Sequence, residues 1–236
     1  MNDVKSSLII DLSGKAGAGK TYLKNKLIQT LSPEYKCIDL SDYVFSVKDF
    51  MDFFIYKPFL FFSSVAFVFL FIPKKYKDLS VNLRRWVKMQ MKIIKGRALD
   101  CDFVFIDEGF FRRVSLLRMR SFRKTSFGNT PALFRKTFFY PDMTIFVTAD
   151  YDLCENRRMG RDRGTGRYAM PGDKREGLVI MEDLKNDIEF AEKTGIVKIL
   201  RYHNEEEFNT SLITETIKAR KKRQNKTKES QWQKSP

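Results

Sequence analysis

A glycine-rich stretch near the amino terminus has the residue types and the spacing needed to hold a phosphate chain. It runs Gly14-Lys-Ala-Gly-Ala-Gly-Lys20-Thr21 and matches the pattern G-x-x-x-x-G-K-[ST] at every position. Main-chain N–H groups wrap the phosphates in such a loop, and side chains on Gly14, Gly17 or Gly19 would block their approach. Lys20 can reach phosphate oxygens, and the Thr21 hydroxyl can bind Mg²⁺. The motif therefore predicts a site for ATP and Mg²⁺.

The residues on either side of the motif support this interpretation. An apolar run at 8–12 predicts a strand, and the residues from Tyr22 to about Leu31 predict a helix. A helix that begins at the loop turns its unpaired N–H groups and its positive dipole end toward the phosphates. The variable positions Lys15, Ala16 and Ala18 complete the predicted cradle, and we expect Lys15 to be a solvated loop lysine.

A second candidate site follows a strand in the middle of the chain. The sequence DFVFID at 102–107 is a continuous apolar run that ends in Asp107 and Glu108, which is typical of a central parallel strand. A carboxylate at the end of such a strand, downstream of a phosphate loop, predicts that Asp107 binds Mg²⁺. Glu108 could act as a general base or as a first-turn helix acid. Arg112 and Arg113, one turn further on, could clamp an anionic acceptor.

Five arginines crowd the region from 151 to 167, which ends in glycines. Arg157 and Arg161 are four residues apart and share one helical face. Transfer of a phosphoryl group requires positive charge spread over the migrating phosphate, and a glycine-hinged lid at about 151–172 can supply it through Arg157, Arg161 and Arg163. A basic surface helix is the alternative.

Polar residues also follow the second predicted strand, at 36–40. Ligands of open parallel sheets bind at the carboxyl ends of the strands, so Asp39 and Asp42 are candidates for binding the acceptor. Ser41 or Asp42 could equally cap a helix at 43–56.

The segment 53–72 is almost entirely apolar, with Ser63 and Ser64 its only polar residues after Pro58. A single membrane crossing would separate the phosphate loop from Asp107, so we exclude a span. A buried helix, a segment dipping into a membrane surface and an oligomer interface, such as that of a homodimer, remain open. Lysines beside the segment and the basic tail favour contact with anionic headgroups through residues 59–77 and the tail.

The charge of the chain indicates an acidic partner. The 236 residues carry a formal net charge of +15, of which the residues from Thr214 onward supply +6 and the body +9. Nucleotides, nucleic acid and an anionic membrane surface fit this charge. Three scattered cysteines and the lack of an amino-terminal signal predict a reduced, cytoplasmic protein, with an option of peripheral association at the inner membrane face. With His203 as the only histidine, a transition-metal site is not expected.

The rest of the chain predicts alternating helices and strands. Helices are expected at 79–99, 173–194 and 205–220, with strands at 140–147 and 196–201, and a disordered basic tail after the last helix. Arg85 and Lys92 are expected on the solvated face of the first of these helices. The basic, Phe-rich segment 115–140 either stacks on nucleic acid or forms an amphipathic helix pair that buries Phe and solvates Arg.

The order of these parts resembles the nucleoside-monophosphate kinases of the P-loop group, most closely thymidylate kinases. The resemblance rests on GKAGAGKT at 14–21, FIDEG at 105–109, YPDMTIFV at 140–147 and ENRRMGRDRG at 155–164. It implies a three-layer α/β P-loop NTPase fold with a five-stranded parallel sheet, ATP as the donor, Asp107 as the acid after the third strand, and Arg157, Arg161 and Arg163 as lid residues. Thymidylate kinases generally have Asp-Arg where this chain has Asp107-Glu108, so an acceptor arginine would have to come from Arg112 or Arg113.

Together these features predict a kinase domain at 1–213, with a hydrophobic helical insertion at about 43–78 and a helical lid, followed by a basic end at 214–236. The expected reaction moves the γ-phosphoryl group of ATP to a small acceptor, most simply a nucleoside monophosphate. The alternatives are a kinase of a sugar or lipid-linked glycan at the membrane surface, a polynucleotide kinase, and a nucleotide-gated regulatory or tethering protein without catalysis.

Overall fold

A parallel sheet of five strands forms the centre of the computed structural model, which describes residues 7–70, 76–107, 109–119, 127–164, 174–204 and 210–232. The spatial order of the strands is β2-β3-β1-β4-β5. The strands are β1 (Leu8–Ser13), β2 (Cys37–Asp39), β3 (Phe103–Ile106), β4 (Met143–Thr148) and β5 (Lys198–His203). Every neighbouring pair is parallel, so the carboxyl ends of all five strands lie at one edge.

Helices connect the strands within the same described residues. They are α1 (Lys20–Leu31), α2 (Val47–Tyr56), α3 (Pro58–Leu70), α4 (Tyr76–Ala98), α5 (Phe110–Met119), α6 (Ala132–Thr137), α7 (Tyr151–Gly164), α8 (Lys174–Lys193) and α9 (Thr210–Trp232). In the sheet, β3 and β2 lie on one side of β1. Strands β4 and β5 lie on its other side.

The strands bury both of their faces because their side chains alternate. Ile9, Val104 and Ile106 pack on one face with residues of α4, α5 and α8. Leu8, Ile10 and other alternate residues pack on the opposite face with α1 and α9. The result is three layers, helix, sheet and helix, and it confirms the predicted α/β fold with a five-stranded parallel sheet.

The predicted apolar insertion forms two helices rather than one. The axes of α2 and α3 are bent by 104° at Lys57, immediately before Pro58, whose ring cannot continue a preceding helix. Within the described ranges, no single helix is long and apolar enough to cross a bilayer, and only this bent pair has the required length and composition together. Phe53, Leu60 and Phe67 of the pair are buried, as a core helix requires.

Two predicted helix boundaries are wrong. Helix α2 begins after Ser46, whose hydroxyl accepts a hydrogen bond from the N–H of Asp49 while the Asp49 carboxylate accepts from the N–H of Ser46. Ser41 and Asp42 are therefore not its cap. At the other end of the chain, α9 continues to Trp232, where a disordered tail was expected. The lysines, arginines and glutamines there are good helix formers, and buried Lys221 holds the helix near Asp102, 3.6 Å away.

Some predicted features lie outside the described residues. These are Glu108, Lys74, Lys75, residues 120–126 of the basic segment, residues 165–172 of the lid, and the side chains of Lys77 and Arg163.

The basic, Phe-rich segment contributes to the core. Phe127 and Phe138 are buried, and Arg118 is 3% exposed rather than solvated. Its guanidinium donates to both carboxylate oxygens of Asp187, at 2.5 and 2.6 Å, and lies 2.8 Å from Asp183. The N–H of Phe127 also donates to Asp187. Phe127 and Phe138 therefore pack inside the protein, where bases cannot stack on them.

We expect Asp187→Ala to lower the free energy of unfolding by about 3–5 kcal/mol, because it leaves the buried Arg118 charge without its closest partner. Urea unfolding followed by circular dichroism measures the change. Asp183→Ala is the matched control, since that carboxylate is partly exposed, and it should cost about 1 kcal/mol or less. Equal losses for the two variants would contradict the assigned role of Asp187.

Candidate active site

The glycines of the phosphate loop are held close to neighbouring backbone. A Cβ atom at Gly17 would lie 2.0 Å from the carbonyl oxygen of Cys154, and one at Gly19 would lie 2.1 Å from Nδ2 of Asn204. Both glycines have positive φ, 88° and 91°, which favours glycine. Asn204, directly after β5, donates to the carbonyl of Ala18 at 2.7 Å. The loop is thus a tight cradle whose shape depends on its glycines.

Lys20 lies within this cradle. Its ammonium group donates to the carbonyl oxygens of Gly14, at 3.1 Å, and Lys15, at 2.9 Å. Burial and, second to it, the charge of Arg112 lower the pKa of Lys20 to about 8, while Asp107 and Asp11 oppose the shift. The side chain is therefore fixed beside the loop. A bound anion would stabilise its protonated form.

Thr21 and Asp107 meet at the carboxyl edge of the sheet. The Thr21 hydroxyl donates to Oδ2 of Asp107 at 2.5 Å, although 86 residues separate the two in sequence. The N–H of Asp107 donates to the Ser41 hydroxyl at 3.0 Å. The other carboxylate oxygen, Oδ1, is buried and has no hydrogen-bond partner among the described residues.

This donor set fits Mg²⁺. The ion prefers oxygen ligands and is typically held by one or two carboxylates together with water and substrate phosphates. Asp107, with its unpartnered buried oxygen, and Thr21 offer such ligands beside the phosphate cradle.

A buried carboxylate that the sequence analysis did not select fixes the backbone after Asp107. Asp11 in β1 accepts hydrogen bonds from the N–H groups of Gly109, at 3.1 Å, and Phe110, at 2.9 Å. Burial raises the pKa of Asp11 to about 6, against the effect of these hydrogen bonds and that of Ser13. The sequence does carry a signal for Asp11, because it is an acid inside the apolar run of β1 and a buried charge requires partners.

The prediction for Lys15 is wrong. Its ammonium group lies 2.9 Å from the Glu155 carboxylate and 3.0 Å from the centre of the Tyr151 ring. Glu155 also accepts from Arg158 at 2.9 Å. Strands β1 and β4 are neighbours, so the first turns of α7 lie beside the loop that follows β1. Lys15 therefore links the phosphate loop to the helix that carries the predicted lid arginines.

The candidate arginines of two helices act on one another. The pKa of Arg112 is lowered to about 10, mainly by burial and then by the charge of Arg113, while Asp107 opposes the shift. The charges of Arg161, on α7, and Arg85, on α4, contribute to the same lowering. Arg157 is exposed on α7, one turn from Arg161.

Arg85 is exposed, as predicted, and is not among the candidate site residues of the sequence. It lines a small cavity with Asn82, Trp86 and Arg113. In the described part of the chain, the buried indole N–H of Trp86 has no hydrogen-bond partner. The cavity thus offers hydrogen-bond donors between α4 and α5, and only the packing of the two helices reveals it.

Of the two candidate acidic residues at the carboxyl end of β2, Asp39 is paired with a lysine and Asp42 is exposed. Asp39 lies 2.6 Å from the buried ammonium group of Lys24 and accepts from the N–H of Ser41. Burial alone would raise the pKa of Asp39, but the hydrogen bonds from Lys24 and Ser41 hold it below its usual value. Asp42 is exposed.

Two buried lysines hold this turn in place. Lys24 donates to the Ser41 hydroxyl at 3.0 Å, and Lys92 donates to the Ser41 carbonyl at 2.5 Å. Lys92 is 2% exposed, so its predicted place on a solvated face is wrong. The lysines and Asp39 position Ser41, which in turn supports Asp107.

Comparisons with known proteins identify the fold. No known family profile and no curated protein sequence matches the chain. Among solved structures, thymidylate kinase from Candida albicans is similar with a TM-score of 0.54 and 14% identity, over 92% of this chain and 93% of that one. Deoxyadenosine kinase from M. mycoides with bound dATP is similar with a TM-score of 0.52 and 12% identity, over 89% of this chain and 99% of that one. The chain therefore has the three-layer P-loop fold that thymidylate kinase and deoxyadenosine kinase share.

Proposed function

We propose that this protein is a kinase that transfers the γ-phosphoryl group of ATP to a nucleoside monophosphate. The observation that carries the proposal is the meeting of Thr21 and Asp107 beside Lys20 in the glycine cradle. A phosphate cradle, a cation and a carboxylate with an unpartnered oxygen are the parts that hold a triphosphate with its metal. The kinase neighbours of the same fold support the reaction class.

The donor site uses the main chain of the loop and three side chains. N–H groups at the start of α1 bind the β and γ phosphates, and Lys20 moves from the carbonyls of Gly14 and Lys15 to phosphate oxygens. Thr21 and Asp107 would hold Mg²⁺, which would supply positive charge to neutralise the phosphates. Asp11 keeps Asp107 in position by fixing the N–H groups of Gly109 and Phe110.

The arginines support an acceptor that itself carries a phosphate. Arg112 repels Arg113, Arg85 and Arg161, and a second anion next to the γ-phosphate would relieve that repulsion. Arg85, on α4, and Arg113, on α5, both line the small cavity between these helices. The phosphate of a nucleoside monophosphate would place an anion beside these arginines, so we favour a nucleoside monophosphate over the nucleoside substrate that the name of deoxyadenosine kinase indicates for that enzyme.

The arginines of α7 complete the proposed site. Arg157 and Arg161 lie on the described part of the predicted lid, and Arg163 follows on the same helix. Closure of this helix over the γ-phosphate would place guanidinium groups where charge develops in the transition state. The pair of Lys15 and Glu155 ties the first turns of α7 to the loop, so only the later turns need to move.

We expect Lys20→Ala to lower kcat by at least about 100-fold, because it removes a charge that stabilises the migrating phosphoryl group. ADP release measured with an acceptor screen of nucleoside monophosphates and nucleosides gives the rate. Lys222→Ala, an exposed lysine on α9, is the matched control and should leave kcat unchanged. Unaltered turnover in a folded Lys20→Ala protein would remove the donor site from the proposal.

The affinity for ATP should fall as the pH rises through 8. The free enzyme loses the Lys20 proton at a pKa of about 8, whereas bound phosphates keep the lysine charged, so binding above that pH requires proton uptake. The dissociation constant should rise by up to about tenfold per pH unit, as titration calorimetry from pH 7.5 to 9.5 can measure. Lys20→Arg, which stays charged, should flatten the profile, and parallel profiles for the two proteins would contradict the role of Lys20.

We expect Arg85→Gln to raise KM for the acceptor by about 10-fold or more, since a charged hydrogen bond contributes about 1.5–3 kcal/mol. The KM for ATP should not change. Arg84→Gln, the exposed neighbour on the same helix, is the matched control. Equal acceptor KM values for both variants would show that the acceptor does not use the cavity of Arg85.

A further inference from the structure

The outer face of α2 and α3 exposes large apolar side chains to water. These are Met51, Phe54, Ile55, Tyr56, Phe59, Phe62 and Phe69, which we call the hairpin surface. Phe59 is 65% exposed, Phe62 57% and Tyr56 75%. A helix at the boundary of a water-soluble fold normally places polar residues on its outer side. Helix α3 has apolar residues on both sides.

The opposite side of the same helices accounts for their packing in the fold. The ring of Phe67 lies 4.5 Å from that of Trp86 on α4 and 4.8 Å from that of Phe138. Leu60 and Val68 are also buried. The inner side thus holds α3 in place, and the outward phenylalanines are not needed for that contact.

The size of the hairpin surface is unusual. A phenylalanine or tyrosine side chain has about 150–250 Å² of surface, so the exposed fractions sum to an apolar surface on the order of 500 Å². Patches of this size on proteins typically mark an interaction site. Phe54 and Phe62 of this surface are in edge contact with each other and with Phe61, with ring centres 5.1 to 5.9 Å apart.

The lysines near the surface favour an anionic partner. Exposed Lys48 and Lys57 lie on α2 and at the bend, and the sequence places Lys74, Lys75 and Lys77 within seven residues of the end of α3. Lysines are depleted in protein–protein interfaces. Lysines beside exposed aromatic residues fit the headgroup region of an anionic bilayer, and the net charge of +15 adds long-range attraction.

We propose that the hairpin surface docks this protein onto an anionic lipid bilayer, with the phenylalanines of α3 inserted into one leaflet. Helices α2 and α3, of ten and thirteen residues, are about 15 and 20 Å long. Each is too short to cross a hydrocarbon core of about 30 Å, and the 104° bend prevents the two from forming one longer span. Insertion of such helices typically reaches about 5–10 Å below the headgroups.

The basic end of α9 is not part of this docking face. Lys221 lies next to Asp102, directly before β3 and hence at the amino edge of the sheet. Trp86, on which α3 packs, contacts Phe110 at the start of α5, beyond the carboxyl edge. The hairpin surface and the basic end of α9 are therefore at opposite edges.

The proposal is tested by flotation of the full chain with vesicles of phosphatidylcholine alone or mixed with phosphatidylglycerol. We expect binding to the mixed vesicles and at least tenfold weaker partitioning of Phe59→Ser/Phe62→Ser/Phe69→Ser. The matched control is Leu178→Ser/Val179→Ser/Leu212→Ser, which alters three exposed apolar residues elsewhere and should bind as the wild type does. No binding of the wild type, or equal losses in both variants, would overturn the proposal.

Two further measurements keep the test decisive. Phe62→Trp should gain fluorescence quenching by brominated lipids over the wild type, whose tryptophans are Trp86 and Trp232, and no gain would overturn insertion even if the serine variant fails to fold. Sedimentation velocity without lipid identifies the alternative occupant, since a dimer that only the α3 variant dissociates, with no vesicle binding, would assign the surface to a second copy. ATP binding is measured in parallel and is expected to be equal in all variants. A failure of the membrane proposal, seen in vesicle binding, is thereby distinguished from a failure of the kinase proposal, seen in ATP binding.

Discussion

The hydrogen bond between Thr21 and Asp107 joins the two halves of the candidate site. Thr21 lies in the first turn of the helix after β1, and Asp107 follows β3, the strand hydrogen-bonded to β1. Parallel pairing brings the carboxyl ends of β1 and β3 to the same edge of the sheet. Further contacts hold Thr21 and Asp107 together there. Asp11 fixes the chain after Asp107, Ser41 supports its N–H, and Asn204 fixes the loop before Thr21.

Local sequence patterns predicted the parts of the fold that depend on the backbone. The glycine motif requires close approach and positive φ at Gly17 and Gly19, and both are present. Continuous apolar runs predicted the central strands, because a strand covered on both faces needs apolar side chains on both of them. Gly195 ends α8 with a φ of 66°, as expected of a helix that stops at glycine. These features are set by residues close together in the chain.

Contacts between distant residues were not predictable in the same way. Lys15, Lys92 and Arg118 were all expected in solvent, yet each is paired with a partner at least 50 residues away. A lysine or arginine on a helix shows no local sign of burial, since its long stem can reach either water or a distant carboxylate. The place of exposed Arg85 beside a cavity was also not predictable, because the cavity exists only where α4 packs against α5.

The account depends on one claim, that the loop and Asp107 together bind a triphosphate and its metal. Titration calorimetry of the wild type and of Asp107→Asn with ATP, with and without Mg²⁺, tests it most directly. We predict heat of binding for the wild type that is enhanced by Mg²⁺, and a loss of that enhancement in Asp107→Asn with folding unchanged. Absence of ATP binding by the wild type, or equal Mg²⁺ enhancement in both proteins, would contradict the claim.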